Sequence, residues 1–183
     1  MAEFRKELKQ GCFLVIGGAK SGKSRYALDF CQQTGKKLIF LATAQAKDQE
    51  MTERIKRHQE ERGGNWLTIE EPLDIIGRVQ EFDSANAVIL LDCLILWMNN
   101  LYMKYGDDLK SIDQEVDALV NHLSNVRGLV VMVSNELGMS IIPDNPLARE
   151  FRDRIGILNQ RIAGIAQKVV MMAAGLPLIL KDE

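Results

Sequence analysis

The sequence predicts a single α/β domain built on a mostly parallel sheet flanked by helices, and three observations lead there. Short aliphatic or β-branched runs alternate with longer helical patterns, as strands do when crossover helices join them. The length of 183 residues fits one domain with a sizeable core. A glycine-rich stretch, GGAKSGKS at residues 17–24, stands between an apolar strand pattern and a helix pattern. The strand patterns are Cys12 to Ile16, Lys37 to Leu41, Ala87 to Leu91, Leu129 to Ser134, Lys168 to Ala173 and Leu178 to Leu180, with Trp66 to Glu70 a weaker one. Helical spacing runs over Ser24 to Thr34, Asp48 to Arg62, Leu73 to Phe82, Leu94 to Tyr105, Ile112 to Arg127 and Leu147 to Gln167. No repeat or Pro/Gly/Ser-rich linker divides the chain, so residues 1–183 read as one domain.

Composition removes several function classes. Apolar residues make up 46% and charged residues 26%, an ordinary globular balance. A net charge of -2 supplies no overall positive field to collect a polyanion, so no nucleic-acid partner is expected. The longest apolar stretch, Ala87 to Met98, is interrupted by Asp92 and falls short of the roughly 20 residues that span a bilayer. Cys12 to Ile16 is too short for a signal-peptide core. The three cysteines, Cys12, Cys31 and Cys93, lack metal-ligand spacing and read as buried small hydrophobes. A reducing cytoplasm is the expected setting.

In parallel sheets ligands gather at the carboxyl ends of strands. After the first strand the spacing G-x-x-x-x-G-K-S is met by Gly17, Gly22, Lys23 and Ser24. This is a phosphate-binding loop: Gly17, Gly18, Ala19, Lys20, Ser21, Gly22, Lys23 and Ser24 would wrap backbone N–H groups around phosphate oxygens at a helix N-terminus. Lys23 would reach the outer phosphates, and Ser24 would ligate Mg²⁺. The P-loop NTPase fold follows. Val88-Ile89-Leu90-Leu91-Asp92 ends in an acid, which reads either as the second Mg²⁺ ligand or as a cap for the next helix.

The chain has two histidines. His122 sits among Val116, Leu119 and Leu123 at a core edge and is assigned no role. Met51, Ile55 and His58 fall on one helical face. His58 therefore reads either as a structural histidine or, beside a triphosphate, as a neutral imidazole able to attack phosphorus and form a phosphoramidate.

Taken together, GGAKSGKS at 17–24, LATAQAKDQEMTERIKRHQEER at 41–62, ILLDCL at 89–94 and SNELGMSIIPDNPLAREFRDRIGILNQRIA at 134–163 resemble the bifunctional adenosylcobinamide kinase and adenosylcobinamide-phosphate guanylyltransferase family of cobalamin biosynthesis. The resemblance covers nearly the whole chain, and the last block is its most specific part. It implies a RecA-like fold and a homotrimer. It also implies two reactions: phosphorylation of adenosylcobinamide by ATP or GTP, then transfer of GMP from GTP through a guanylyl-histidine to adenosylcobinamide phosphate. Carried over residue by residue, it makes His58 the guanylylated histidine, with Lys23 serving both steps. Nucleotide contacts would come from the loop and from Ala42, Thr43, Ala44, Gln59, Glu60, Glu61, Arg62, Glu70 and Asp92. Arg57 and Asp92 stand where some relatives have a histidine and a glutamate.

Two other function classes fit the residues read without the resemblance. One is a single-activity P-loop kinase of a small metabolite, with His58 structural. The other is a non-enzymatic nucleotide switch. For a corrinoid, strand-end position alone nominates Asn135, Glu136 and the stretch Ile142 to Pro146.

Overall fold

The computed structural model describes residues 8–45, 49, 53 and 62–183. Seven strands form one sheet: β1 (Gly11–Gly17), β2 (Lys37–Ala42), β3 (Trp66–Glu70), β4 (Ala87–Asp92), β5 (Leu129–Val133), β6 (Lys168–Ala173) and β7 (Leu176–Asp182). Their spatial order is β3-β2-β4-β5-β1-β6-β7. All neighbours run parallel except the β6–β7 hairpin. The two-residue turn Ala174-Gly175, both at positive φ, joins that hairpin with the twist such turns favour. Helices α1 (Lys23–Gln33), α2 (Ile75–Phe82), α3 (Leu94–Tyr105), α4 (Leu109–Leu123) and α5 (Pro146–Ile165) link the strands.

Strand alternation decides which side chains meet which helices. Cys12, Leu14, Ile16, Ile39, Leu41, Ile89, Leu91, Val130 and Met132 face a core completed by α2 to α5. Phe13, Val15, Phe40, Val88, Leu90, Val131 and Val133 face the other way, against Ala27, Phe30 and Cys31 of α1. Phe13 meets Phe30 edge to face at a centroid distance of 4.7 Å. The central strands are thus buried on both faces, which is why they read as continuous apolar runs rather than as alternation.

Helix boundaries differ from the sequence expectation where caps intervene. α2 begins at Ile75, not Leu73, because the Asp74 carboxylate accepts from Gly77 N–H (2.9 Å) and Glu71 Oε1 accepts from the N–H groups of Leu73 and Asp74 (3.0 Å each). α4 begins three residues before Ile112, since Asp108 accepts from Ser111 N–H (3.2 Å). It ends at Leu123 rather than Arg127. There the buried Asp83 carboxylate takes the N–H groups of Arg127 (3.0 Å) and Gly128 (2.6 Å) and turns the chain into β5. α5 starts with Pro146 at its first position behind Asn145, whose Oδ1 accepts from Leu147 N–H (2.8 Å). β7 is longer than Leu178 to Leu180, being zipped to β6 and pinned by the ion pair of buried Lys168 with Asp182 (3.1 Å).

No helix among the described residues is long and apolar enough to cross a membrane. Cys12 and Cys31 are buried and Cys93 is half-buried, all as free thiols. Burial is the main reason the thiols of Cys12 and Cys93 are pushed up to about 12.

Replacing Asp83 with alanine removes the acceptor of the Arg127 and Gly128 N–H groups at the entry to β5, the second of which is buried. Asp83→Ala is expected to lower unfolding free energy by about 2–4 kcal/mol in urea melts, as the loss of a charged acceptor for buried N–H groups does.

Candidate active site

The site begins where β1 leaves the sheet. Gly17 pairs with Met172 of β6, and a Cβ placed on it would lie 2.6 Å from the Met172 carbonyl oxygen and 2.6 Å from Ser21 Oγ. No other residue fits there without moving a strand. The chain then folds over itself: Ser21 N–H donates to Gly18 C=O (3.3 Å), and Lys23 Nζ donates to the same carbonyl (3.0 Å). Gly22, at φ 94°, is the N-cap of α1 and contributes no capping side chain, so the N-terminal N–H groups of this helix are left for an anion. The β6–β7 turn buttresses the loop from outside, Gly175 N–H donating to Ser21 C=O (3.1 Å).

Lys20, Ser21, Gly22, Lys23, Ser24, Arg62 and Asp92 line one cavity of about 470 Å³. Register brings the acid there. Asp92 at the end of β4 stands level with Ala42 of β2, which in turn is level with Glu70 of β3. The N-cap of α3 is Cys93, and Asp92 is the last residue of the strand. Arg62 is buried, with its guanidinium 3.7 Å from the centre of the Phe40 ring. Burial lowers its pKa from the usual guanidinium value, and the carboxylates of Asp92 and Glu70 oppose that shift. Ser21 Oγ is buried and has no protein partner among the described residues.

Other residues nominated from sequence occupy different places. Thr43 is fully buried, and its hydroxyl accepts from Cys93 N–H (2.9 Å) and donates to Cys93 C=O (2.8 Å). That clasp ties the end of β2 to the residue after Asp92. Asn100 of α3 reinforces it by donating to the carbonyls of Thr43 (2.9 Å) and Pro72 (3.0 Å). Ala42 and Ala44 are half-buried and Glu70 is exposed, all outside the cavity wall. His58, Gln59, Glu60 and Glu61 lie outside the described residues, as does most of the helical pattern Asp48 to Arg62.

Sequence reading missed part of the wall. Arg25, Leu28, Asp29 and Gln32 of α1 line the cavity, as does Phe40. Their i, i+3, i+4, i+7 spacing beginning one residue after Ser24 was a usable signal. Phe40 gave none, since an aromatic inside a strand pattern reads as core.

A glycine-lined turn from a central parallel strand into a helix, a lysine over the turn and an acid two strands away define a P-loop NTPase of the RecA-like kind. Solved structures agree on the fold. An ATPase from the type III secretion system of pathogenic bacteria superposes with a TM-score of 0.55 at 13% identity, over 88% of this chain and 50% of that one. The ATPase EscN from enteropathogenic E. coli does so at 0.55 and 10%, over 90% of this chain and 43% of its own.

The chain belongs to the cobinamide kinase / cobinamide phosphate guanyltransferase family, whose model matches residues 13–180. The bifunctional adenosylcobalamin biosynthesis protein CobP of Pseudomonas aeruginosa is 40% identical over 170 residues, 93% of this chain and 97% of that one. CobU of Escherichia coli K12 is 34% identical over 179 residues, covering 92% and 98%.

The close approach at Gly17 makes a direct test. Gly17→Ala should lower stability by about 1–3 kcal/mol in chemical denaturation, as overpacking does, and weaken nucleotide binding measured by fluorescence titration.

Proposed function

We propose that the chain phosphorylates the aminopropanol hydroxyl of adenosylcobinamide with ATP or GTP, then converts the product to adenosyl-GDP-cobinamide by way of a guanylyl group on His58. The observation that carries this reading is the extent of the family match, which takes in the phosphate loop, the segment holding His58 and the strand end at Asp92 within residues 13–180. The cavity geometry supports it, because both reactions need triphosphate charge neutralised.

In the first reaction the acceptor hydroxyl oxygen bonds the γ-phosphorus and its proton passes to solvent, as the β–γ bridging bond breaks and the nucleoside diphosphate leaves. Lys23, the N–H groups of residues 17–24 and Arg62 hold the phosphates while the hydroxyl comes into line. In the second, a ring nitrogen of His58 bonds the α-phosphorus of GTP and pyrophosphate departs. A phosphate oxygen of the corrinoid then bonds the same phosphorus as the N–P bond breaks, restoring the imidazole. Ser24 and Asp92 would hold Mg²⁺ between them; a hydroxyl and a carboxylate on one cavity suit a hard cation that takes its remaining ligands from phosphate and water. The ion would supply neutralisation of phosphate charge. The reading includes Gln59, Glu60, Glu61, Ala42, Thr43, Ala44 and Glu70 as nucleotide neighbours, and a cytoplasmic homotrimer.

Two substitutions test this. Lys23→Ala should depress kinase and transferase rates together by on the order of 10²–10³; near-normal rates in a folded variant would remove the phosphate loop from the mechanism. His58→Ala should separate the activities. With α-labelled GTP the variant should acquire no covalent GMP, while phosphorylation of adenosylcobinamide persists, because positioning and charge neutralisation suffice for transfer to a hydroxyl and alanine offers no nucleophile. A well-folded His58→Ala protein that still takes up GMP overturns the assignment.

A further inference from the structure

The kinase reading leaves the second substrate without a seat, and one surface outside the nucleotide cavity has the character of one. From the end of β5 into the first turn of α5 the chain exposes Met139 (75%), Ile141 (92%), Ile142 (69%) and Leu147 (57%), the four within nine residues. Large apolar side chains gathered this openly mark an interaction site rather than scattered surface.

The loop is not slack. Gly138 N–H donates to Glu136 Oε1 (2.9 Å), and both the N–H and the hydroxyl of Ser140 donate to Leu137 C=O (3.1 and 2.7 Å). Leu137 packs on the main core, and Arg149 Nη1 donates to the carbonyls of Pro143 (2.9 Å) and Asp144 (2.7 Å). Its entry is fastened to the phosphate loop itself, Glu136 N–H donating to Gly17 C=O (3.2 Å). A pre-shaped apolar shelf therefore starts at the rim of the phosphate site, where an acceptor hydroxyl must enter to reach a terminal phosphate.

We propose that residues 137–147 form the shelf on which the corrinoid macrocycle lies, with Met139, Ile141, Ile142 and Leu147 against one methyl-bearing face of the ring. This rests on the kinase reading above. The face of the corrin opposite the adenosyl ligand, from which the aminopropanol arm hangs, presents ring carbons and methyl groups between its peripheral amide arms, and exposed aliphatic side chains suit it better than a charged pocket would. A second copy of this chain has a more suitable surface elsewhere: β7, an edge strand exposing Leu176, Leu178, Ile179 and Leu180. Placing the ring on the shelf lets its aminopropanol arm reach over Gly17 towards the phosphates.

The test uses the whole chain carrying Ile141→Ser and Ile142→Ser together, exposed positions at which folding is not at stake. Cobinamide binding by calorimetry should weaken on the order of ten- to a hundredfold, with KM for cobinamide rising in parallel. KM for ATP and the rate of GMP uptake from GTP should stay within about twofold, since neither Ile141 nor Ile142 lines the nucleotide cavity. Unchanged cobinamide affinity would overturn the shelf. So would a fall in sedimentation coefficient, which would make this face a contact between copies. Wild-type protein that neither binds nor phosphorylates cobinamide would instead overturn the kinase reading, and the shelf with it.

Discussion

Everything at the site depends on the absence of a side chain at Gly17. The carbonyl of Met172 and the hydroxyl of Ser21 both stand where a Cβ would be. Because β1 lies between β5 and β6, the first residue of the loop is fixed from both sides: Gly17 is in register with Met172, and its own carbonyl holds Glu136. A loop so anchored need not be ordered by its ligand, so binding a phosphate forfeits little conformational entropy. Gly175 against Ser21 C=O adds a third wall. The phosphate loop is thus a product of strand packing as much as of its own glycines.

The acidic side of the cavity is built by a different device. Asp92 stands two strands away from Gly17, and its position is set by ladder register with Ala42 and Val133. Thr43 then clasps Cys93 on both backbone groups, and Asn100 clasps Thr43. These bonds sit in a dry interior, where each is worth more and each vacancy would cost more. The strand end that carries the carboxylate is thus held in place by buried side chains. Arg62 completes the wall by stacking on Phe40, so a strand residue that reads as core also serves as the floor under a cation.

The strands were legible because hydrophobic runs of β-branched residues do not depend on distant partners. Trp66 to Glu70 and Lys168 to Ala173 match the strands residue for residue. The phosphate loop was legible because its spacing and its strand-to-helix context are local. What escaped is non-local or competitive. The end of α4 at Leu123 is decided by Asp83, 40 residues upstream in another loop, and no pattern within Ile112 to Arg127 announces it. The bonds of the Thr43 hydroxyl to both backbone groups of Cys93, 50 residues away, are likewise invisible to local spacing. The α1 face that lines the cavity was marked by helical spacing directly after the loop, but a period alone does not say whether the face meets a core or a ligand.

Burial of the thiols has a practical corollary. Cys12 is sequestered beneath the sheet with its Sγ donating to Leu123 C=O (3.4 Å), Cys31 faces the α1 core, and Cys93 is locked by its backbone beside Asp92. Burial raises the pKa of all three, so at neutral pH they hold little of the thiolate that alkylating reagents attack. These thiols are therefore expected to react slowly with maleimides. A single cysteine introduced on an exposed residue would carry a spectroscopic label in preference to the wild-type cysteines, which could then stay in place around the phosphate loop.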